Sequence, residues 1–220
     1  MSWGQGPDGP GIAVNVSARQ LETDAVLDHV AEALEATGLP SHSLELEVTQ
    51  TSMIERVDVV APRMAALRAL GVRLAIDDFG VGYSSLAQLR DLPVDCVKVD
   101  RSFVAGVGTS PGDRALVAGI VSLARALNLS VVAEGVGTAE EAATVTALGC
   151  HRAQGFFYSQ PVPSEDVRLE EKEHAIIAPS RSCTLPSGVG VPVAADRLRP
   201  RQRNIGCVAE ATTSTSDGSG

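Results

Sequence analysis

Short apolar runs alternate with longer segments of helical period along the first three-quarters of the chain. Residues 12–16, 44–48, 72–76, 96–99, 131–133 and, more weakly, 150–153 are apolar, rich in β-branched residues and bounded by turn formers, so they read as strands. Between them lie helices. Leu116, Ile120, Leu123 and Leu127 repeat at i, i+4, i+7 and i+11, and Val26, Val30 and Leu34 at four-residue spacing, as one buried helical face requires. Thr138 followed three residues later by Glu141 forms a capping box that opens a helix ending near Gly149. Six strand–helix units in succession predict an α/β fold with a parallel sheet, either doubly wound or closed as a (β/α) barrel. Beyond about Arg168 the pattern stops. The remainder mixes Pro, Gly, Ser and Thr with Arg197, Arg199, Arg201 and Arg203, which predicts a disordered tail over 169–220 whose arginines are solvated.

Composition narrows the class. With 44% hydrophobic residues in 220 positions the chain has material for one sizeable core. No apolar run is long enough to cross a bilayer, and the first ten residues lack the basic start and apolar stretch of a leader, which predicts a cytoplasmic protein with no membrane partner. Four scattered cysteines without a CxxC pair, and four histidines without an HExxH or HxH pair, suggest neither a disulfide framework nor a zinc site. The net charge of −9 lies wholly in residues 1–168, where 21 acids oppose 12 basic residues (the rest holds six of each), and this argues against a nucleic-acid polymer as partner.

Candidate chemistry sits where the strands end. Asn15, Gln50, Asp77 with Asp78, Lys98 with Asp100, Glu134 and Gln154 each lie at or just past the C-terminal end of an apolar strand, at about one strand–helix interval. In a parallel barrel or sheet these C-terminal ends converge on one mouth, where active sites are built. Taken singly, each has a plainer reading: Asp77 and Asp78 as helix caps, Lys98 as a solvated charge, Glu134 as the start of a helix. Together, in register with six strands, they predict a polar cluster whose carboxylates and amides suit hard divalent cations such as Mg²⁺ or Mn²⁺. The AspAspPheGly string matches a kinase metal motif, but no Gly-rich loop or HisArgAsp loop accompanies it.

Five strings together resemble consecutive motifs of the EAL domain family. They are AsnValSerAlaArgGlnLeu (15–21), AlaIleAspAspPheGlyValGlyTyrSerSerLeu (75–86), ValLysValAspArgSerPheVal (97–104), ValValAlaGluGlyVal (131–136) and GlnGlyPhePheTyrSerGlnProValPro (154–163). The resemblance implies a modified TIM-like (β/α) barrel that hydrolyses one phosphodiester of cyclic di-GMP to pGpG with Mg²⁺ or Mn²⁺. Carried over by motif, Asn15 and Asp77 resemble metal ligands and Asp78 a ligand of a second metal. Lys98 resembles the lysine that orients the attacking water, and Glu134 the general base. Gln154 and Asp100 resemble groups that hold substrate or water. The segment from Phe79 to Leu86 is similar to the family's loop that couples metal binding to a homodimer contact.

Departures from the family pattern set further expectations. Met1 stands a few residues before the AsnValSer motif, so residues 1–168 are expected to form a partial domain with about six of eight strands, lacking the first strands and the GluAlaLeu motif. Gln50 stands where the family has a glutamate, and Gly137 where it has another acid. The reading is therefore a cyclic di-GMP phosphodiesterase by descent with weak or lost turnover; the alternatives are an inactive cyclic di-GMP-binding or protein-interaction module, or a non-functional gene fragment.

Overall fold

Six strands hydrogen-bond in sequence order as one parallel sheet in the structure, a computed structural model that describes residues 11–49, 57–81 and 86–163. They are β1 (Ile12–Asn15), β2 (Leu44–Thr49), β3 (Arg73–Phe79), β4 (Cys96–Val99), β5 (Ser130–Ala133) and β6 (Arg152–Ala153). Helices α1 (Ala25–Thr37), α2 (Val57–Ala69), α3 (Leu86–Asp91), α4 (Arg101–Val104), α5 (Pro111–Ala126) and α6 (Ala139–Ala147) occupy the connections. The architecture is a half-barrel: among the described residues β1 pairs with β2 alone and β6 with β5 alone. Gln50 and residues 169–220 lie outside the described residues.

The two faces of the sheet differ, and this difference builds the site. Leu46, Val48, Leu74, Ile76, Val97, Val99, Val131 and Ala133 point toward the helices and join Val60, Met64, Leu67, Val117, Val121 and Val145 in the main core. By the two-residue period of a strand, the alternate positions line the concave face. There Ala75, Cys96 and Val132 form a small separate apolar cluster. Around it lies a buried charged network: Arg152 Nη2 reaches across from β6 to Glu45 Oε2 on β2 at 3.0 Å, and Arg73 Nε stands 3.6 Å from the same oxygen.

Local structure follows the sequence at most ends. Thr138 Oγ1 accepts the N–H of Glu141 at 3.2 Å while Glu141 Oε2 accepts the N–H of Thr138, so the capping box is formed. Ser110 caps α5, with Pro111 as its first residue. One expectation is corrected: Leu116 is 51% exposed, and the buried face of α5 is carried by Val117, Val121 and Ala124, with Ile120, Leu123 and Leu127 at its margin. Val117, Val121 and Ala124 follow one another at helical spacing, and Leu116, one residue before Val117, falls about 100° away from that face.

Candidate functional site

The C-terminal ends of β2 to β6 gather a group of charged side chains around Lys98. Its Nζ donates to Glu47 Oε2 at 2.6 Å and pairs with Glu134 Oε1 at 2.5 Å and Asp77 Oδ1 at 3.4 Å. Lys98 and Glu47 are 3% and 4% exposed, and Asp77 and Glu134 about 15% and 14%. Gln154 Nε2 donates to Glu134 Oε1 at 2.6 Å from the end of β6. Asn15, exposed at the end of β1, stands in register with Glu47.

A break in the β3–β4 ladder brings a further carboxylate to the mouth. Ile76 pairs with Val97 but Phe79 with Val99, so three steps on β3 match two on β4. This is a β-bulge, which leaves one extra residue and re-aims its side chain. Asp78 takes the left-handed backbone conformation at φ 54°, and its N–H donates to Asp77 Oδ1 at 3.0 Å. In a regular strand Asp77 and Asp78 would face opposite sides of the sheet. Here one carboxylate oxygen each from Asp77, Asp78 and Glu134 all lie within 4.8 Å of one another.

Electrostatics follow from burial and proximity. Desolvation pushes the Glu134 carboxyl up to about 7 against the pull of Lys98, with the Asp77 and Glu47 charges adding to the rise. Desolvation likewise raises Glu47 above the ordinary carboxylate range although Lys98 opposes it. Asp78 is raised by burial and by the neighbouring Asp77 and Asp100 charges. Burial alone would lower Lys98; the attraction of Glu134, Glu47 and Asp77 outweighs it and holds the ammonium protonated. Glu47, Asp77, Asp78 and Glu134 bring four negative charges against the one positive charge of Lys98, a formal −3. An all-oxygen donor set with excess negative charge fits hard divalent cations.

Most candidates named from sequence thus meet at one mouth: Asp77, Asp78, Lys98, Glu134 and Gln154 are linked directly, with Asn15 at its rim. Asp100 is partly a structural cap, since its Oδ1 accepts the N–H of Ser102 at 2.9 Å at the start of α4. Gly137 is exposed, and its N–H donates at 2.7 Å to Glu141 Oε2, so a carboxylate lies against this position from within α6. Glu47 was not among the candidates. Its signal was the unusual sequence Leu44-Glu45-Leu46-Glu47, two acids inside an apolar run on one face of a strand.

Comparison with known proteins gives consistent matches. The EAL domain family matches residues 1–161. The chain is 45% identical over 152 residues to the cyclic di-GMP phosphodiesterase NbdA of Pseudomonas aeruginosa, covering 69% of this chain and 19% of that protein. Among solved structures, the MucR phosphodiesterase–cyclic di-GMP complex, MucR being a Pseudomonas aeruginosa protein, has a TM-score of 0.67 at 42% identity over 70% of this chain and 63% of that one. The Klebsiella pneumoniae BlrP1 manganese and cyclic di-GMP complex has a TM-score of 0.64 at 36% identity, over 68% of this chain and 38% of that one. The chain spans at most about a quarter of the length of the curated relatives it matches.

Proposed function

The chain belongs to the EAL domain family, and from that premise we propose that its mouth binds cyclic di-GMP with divalent cations, Mg²⁺ or Mn²⁺, and hydrolyses one phosphodiester slowly to pGpG. The observation that carries this reading is the convergence of Asp77, Asp78 and Glu134 within 4.8 Å, beside a lysine paired with three acids. Asp77, Asp78, Glu134, Glu47 and Asn15 are the residues that would hold the cations. When bound, such ions supply Lewis-acid polarisation of a phosphodiester.

The chain's own residues then divide the work. A water oxygen bonds to phosphorus as one of its protons passes to the Glu134 carboxylate, and the opposite P–O bond breaks; the departing 3′ oxygen takes a proton from solvent, Glu134 returns its proton to solvent, and the other water proton stays on the new 5′-phosphate. Gln154 fixes Glu134 through its 2.6 Å hydrogen bond. Lys98 stays charged and offsets negative charge that develops at the phosphate. Asp100 and Gln154 are assigned to holding substrate or water beside these groups.

The same reading takes residues 1–168 as the domain, 169–220 as a tail, and the cytoplasm as the compartment. It assigns a homodimer contact to the segment from Phe79 to Leu86. Residues 82–85 of this segment lie outside the described residues; its first residue, Phe79, follows Asp78 on β3.

The test is production of pGpG from cyclic di-GMP by the purified chain, followed chromatographically with Mn²⁺ and with EDTA. The expected result is slow, Mn²⁺-dependent product that falls at least about 100-fold in Glu134→Gln, the lower bound for losing a general base. Equal product from the parent and Glu134→Gln would overturn the mechanism. Retained binding of cyclic di-GMP without any product would remove hydrolysis and leave a binding module.

A further inference from the structure

Helix α4 is a single turn, yet it touches both strand ends that carry the three clustered carboxylates. On one side the Phe103 ring lies against Gly80, two residues after Asp78: a β-carbon on Gly80 would stand 2.8 Å from Phe103 Cε2 and 3.4 Å from Cζ. Gly80 has φ 107°, a left-handed conformation that glycine adopts at no steric cost. On the other side the Arg101 backbone and β-carbon press on Gly135, the residue after Glu134. A β-carbon there would meet Arg101 Cα at 3.3 Å, and Arg101 Cβ closer still, and Gly135 is also left-handed at φ 70°.

The ladder hydrogen bonds tie this turn to the same two strands. Asp100 N–H donates to the Phe79 carbonyl at 3.5 Å, and Glu134 N–H donates to the Val99 carbonyl at 3.1 Å. Phe103 N–H donates to the Asp100 carbonyl at 3.1 Å, and the Asp100 side chain caps Ser102, so the turn is internally fixed. Neither Phe103 nor Arg101 contacts a candidate ligand atom in these interactions. Their contacts fall on the backbone of the residue after Glu134 and of the second residue after Asp78.

We propose that α4 is a spacer, with Phe103 and Arg101 as positioning residues that set the separation between the Asp77–Asp78 pair on β3 and Glu134 on β5. The bulge lies between the paired positions Ile76 and Phe79, so Asp77 and Asp78 occupy the stretch of β3 that has no partner on β4. The Phe103 ring adds a constraint just past this stretch by filling the space over Gly80. Positive φ alone favours glycine at both positions, and the close approach of α4 adds a second reason against a side chain. The proposal rests on the reading that these three acids hold a dication.

The test uses calorimetric titration of Mn²⁺ into the full chain, with urea unfolding as a control for folding. Phe103→Leu keeps an apolar side chain against the core but loses the flat ring, and Phe103→Ala removes it. Both should weaken Mn²⁺ binding, Phe103→Ala by about 10-fold or more, the range seen when a group supporting a metal ligand is lost. Gly135→Ala, which forces a β-carbon onto Arg101, should weaken it in the same direction. Val121→Ala, a core change on α5 away from the mouth, sets the comparison: it lowers the urea midpoint while leaving Mn²⁺ affinity within about twofold. The spacer role is overturned if Phe103→Leu keeps parental affinity, or if Val121→Ala weakens Mn²⁺ as much as Phe103→Ala at equal loss of stability. Absence of Mn²⁺ binding by the parent chain would instead overturn the metal reading itself, and the spacer with it.

Discussion

Replacing Lys98 with methionine removes the ammonium that contacts Glu47, Asp77 and Glu134 and fills its place with a side chain of similar volume. The cavity cost is therefore small, and the electrostatic cost dominates. Removing one partner of a buried ion pair costs about 3–5 kcal/mol, because the other charge is left uncompensated. With a urea m-value of about 2 kcal/mol/M, typical of small domains, the midpoint should fall by about 1.5–2.5 M near pH 8. The loss should shrink in acid. Glu47 and Glu134 already lie above their ordinary carboxylate range. The folded state thus holds protons that the unfolded chain has released, a stabilising contribution present at low pH and lost as pH rises through the folded values. Lys98 pulls both values down, so its removal moves that loss to higher pH and makes it larger. Urea unfolding of parent and Lys98→Met near pH 5.5 and pH 8, in EDTA, measures the difference. A midpoint shift near zero at pH 8, or an equal shift at both pH values, would refute the reasoning.

Three further outcomes are expected. Glu45→Gln should destabilise more than Arg152→Met in urea unfolding, because Glu45 stands between two guanidinium groups and its loss leaves both facing each other across the concave sheet. Thr138→Ala should lower stability by about 1 kcal/mol, the usual cost of losing an N-cap side chain. His151 accepts the Val131 N–H at Nδ1, and burial, with Arg125 and Arg152 nearby, lowers its folded-state value. Its contribution is full above the unfolded value of about 6.5 and is lost as pH falls through the folded one, so His151→Asn should flatten the decline in midpoint below pH 6.5.

Most strands could be read in the sequence because apolar residues recur at the positions that face the helices, as Leu44, Leu46 and Val48 do on β2. The mouth could be read because Asn15, Asp77, Lys98, Glu134 and Gln154 each end such a strand. Two features could not. The bulge at Asp77-Asp78 has no sequence signature, and strict alternation would have sent the second aspartate to the wrong face; only the ladder shift and the φ of 54° show otherwise. Glu47 was hidden because an acid within a strand reads as a solvent-facing residue, whereas the concave face of a half-barrel buries Glu45 and Glu47 against cations. Gln50, where the family has a glutamate, lies outside the described residues. The carboxylate that β2 brings to Lys98 among the described residues is Glu47.

The central claim is that Asp77, Asp78, Glu134 and Glu47 form a dication site that serves cyclic di-GMP. Titration of Mn²⁺ into the parent chain and into Asp77→Asn and Glu47→Gln, each with and without cyclic di-GMP, tests it most directly. The account predicts saturable Mn²⁺ binding by the parent, tightened by the nucleotide, and weakened about 10-fold or more by either substitution. Parental Mn²⁺ affinity in both variants, with both still folded, would contradict it.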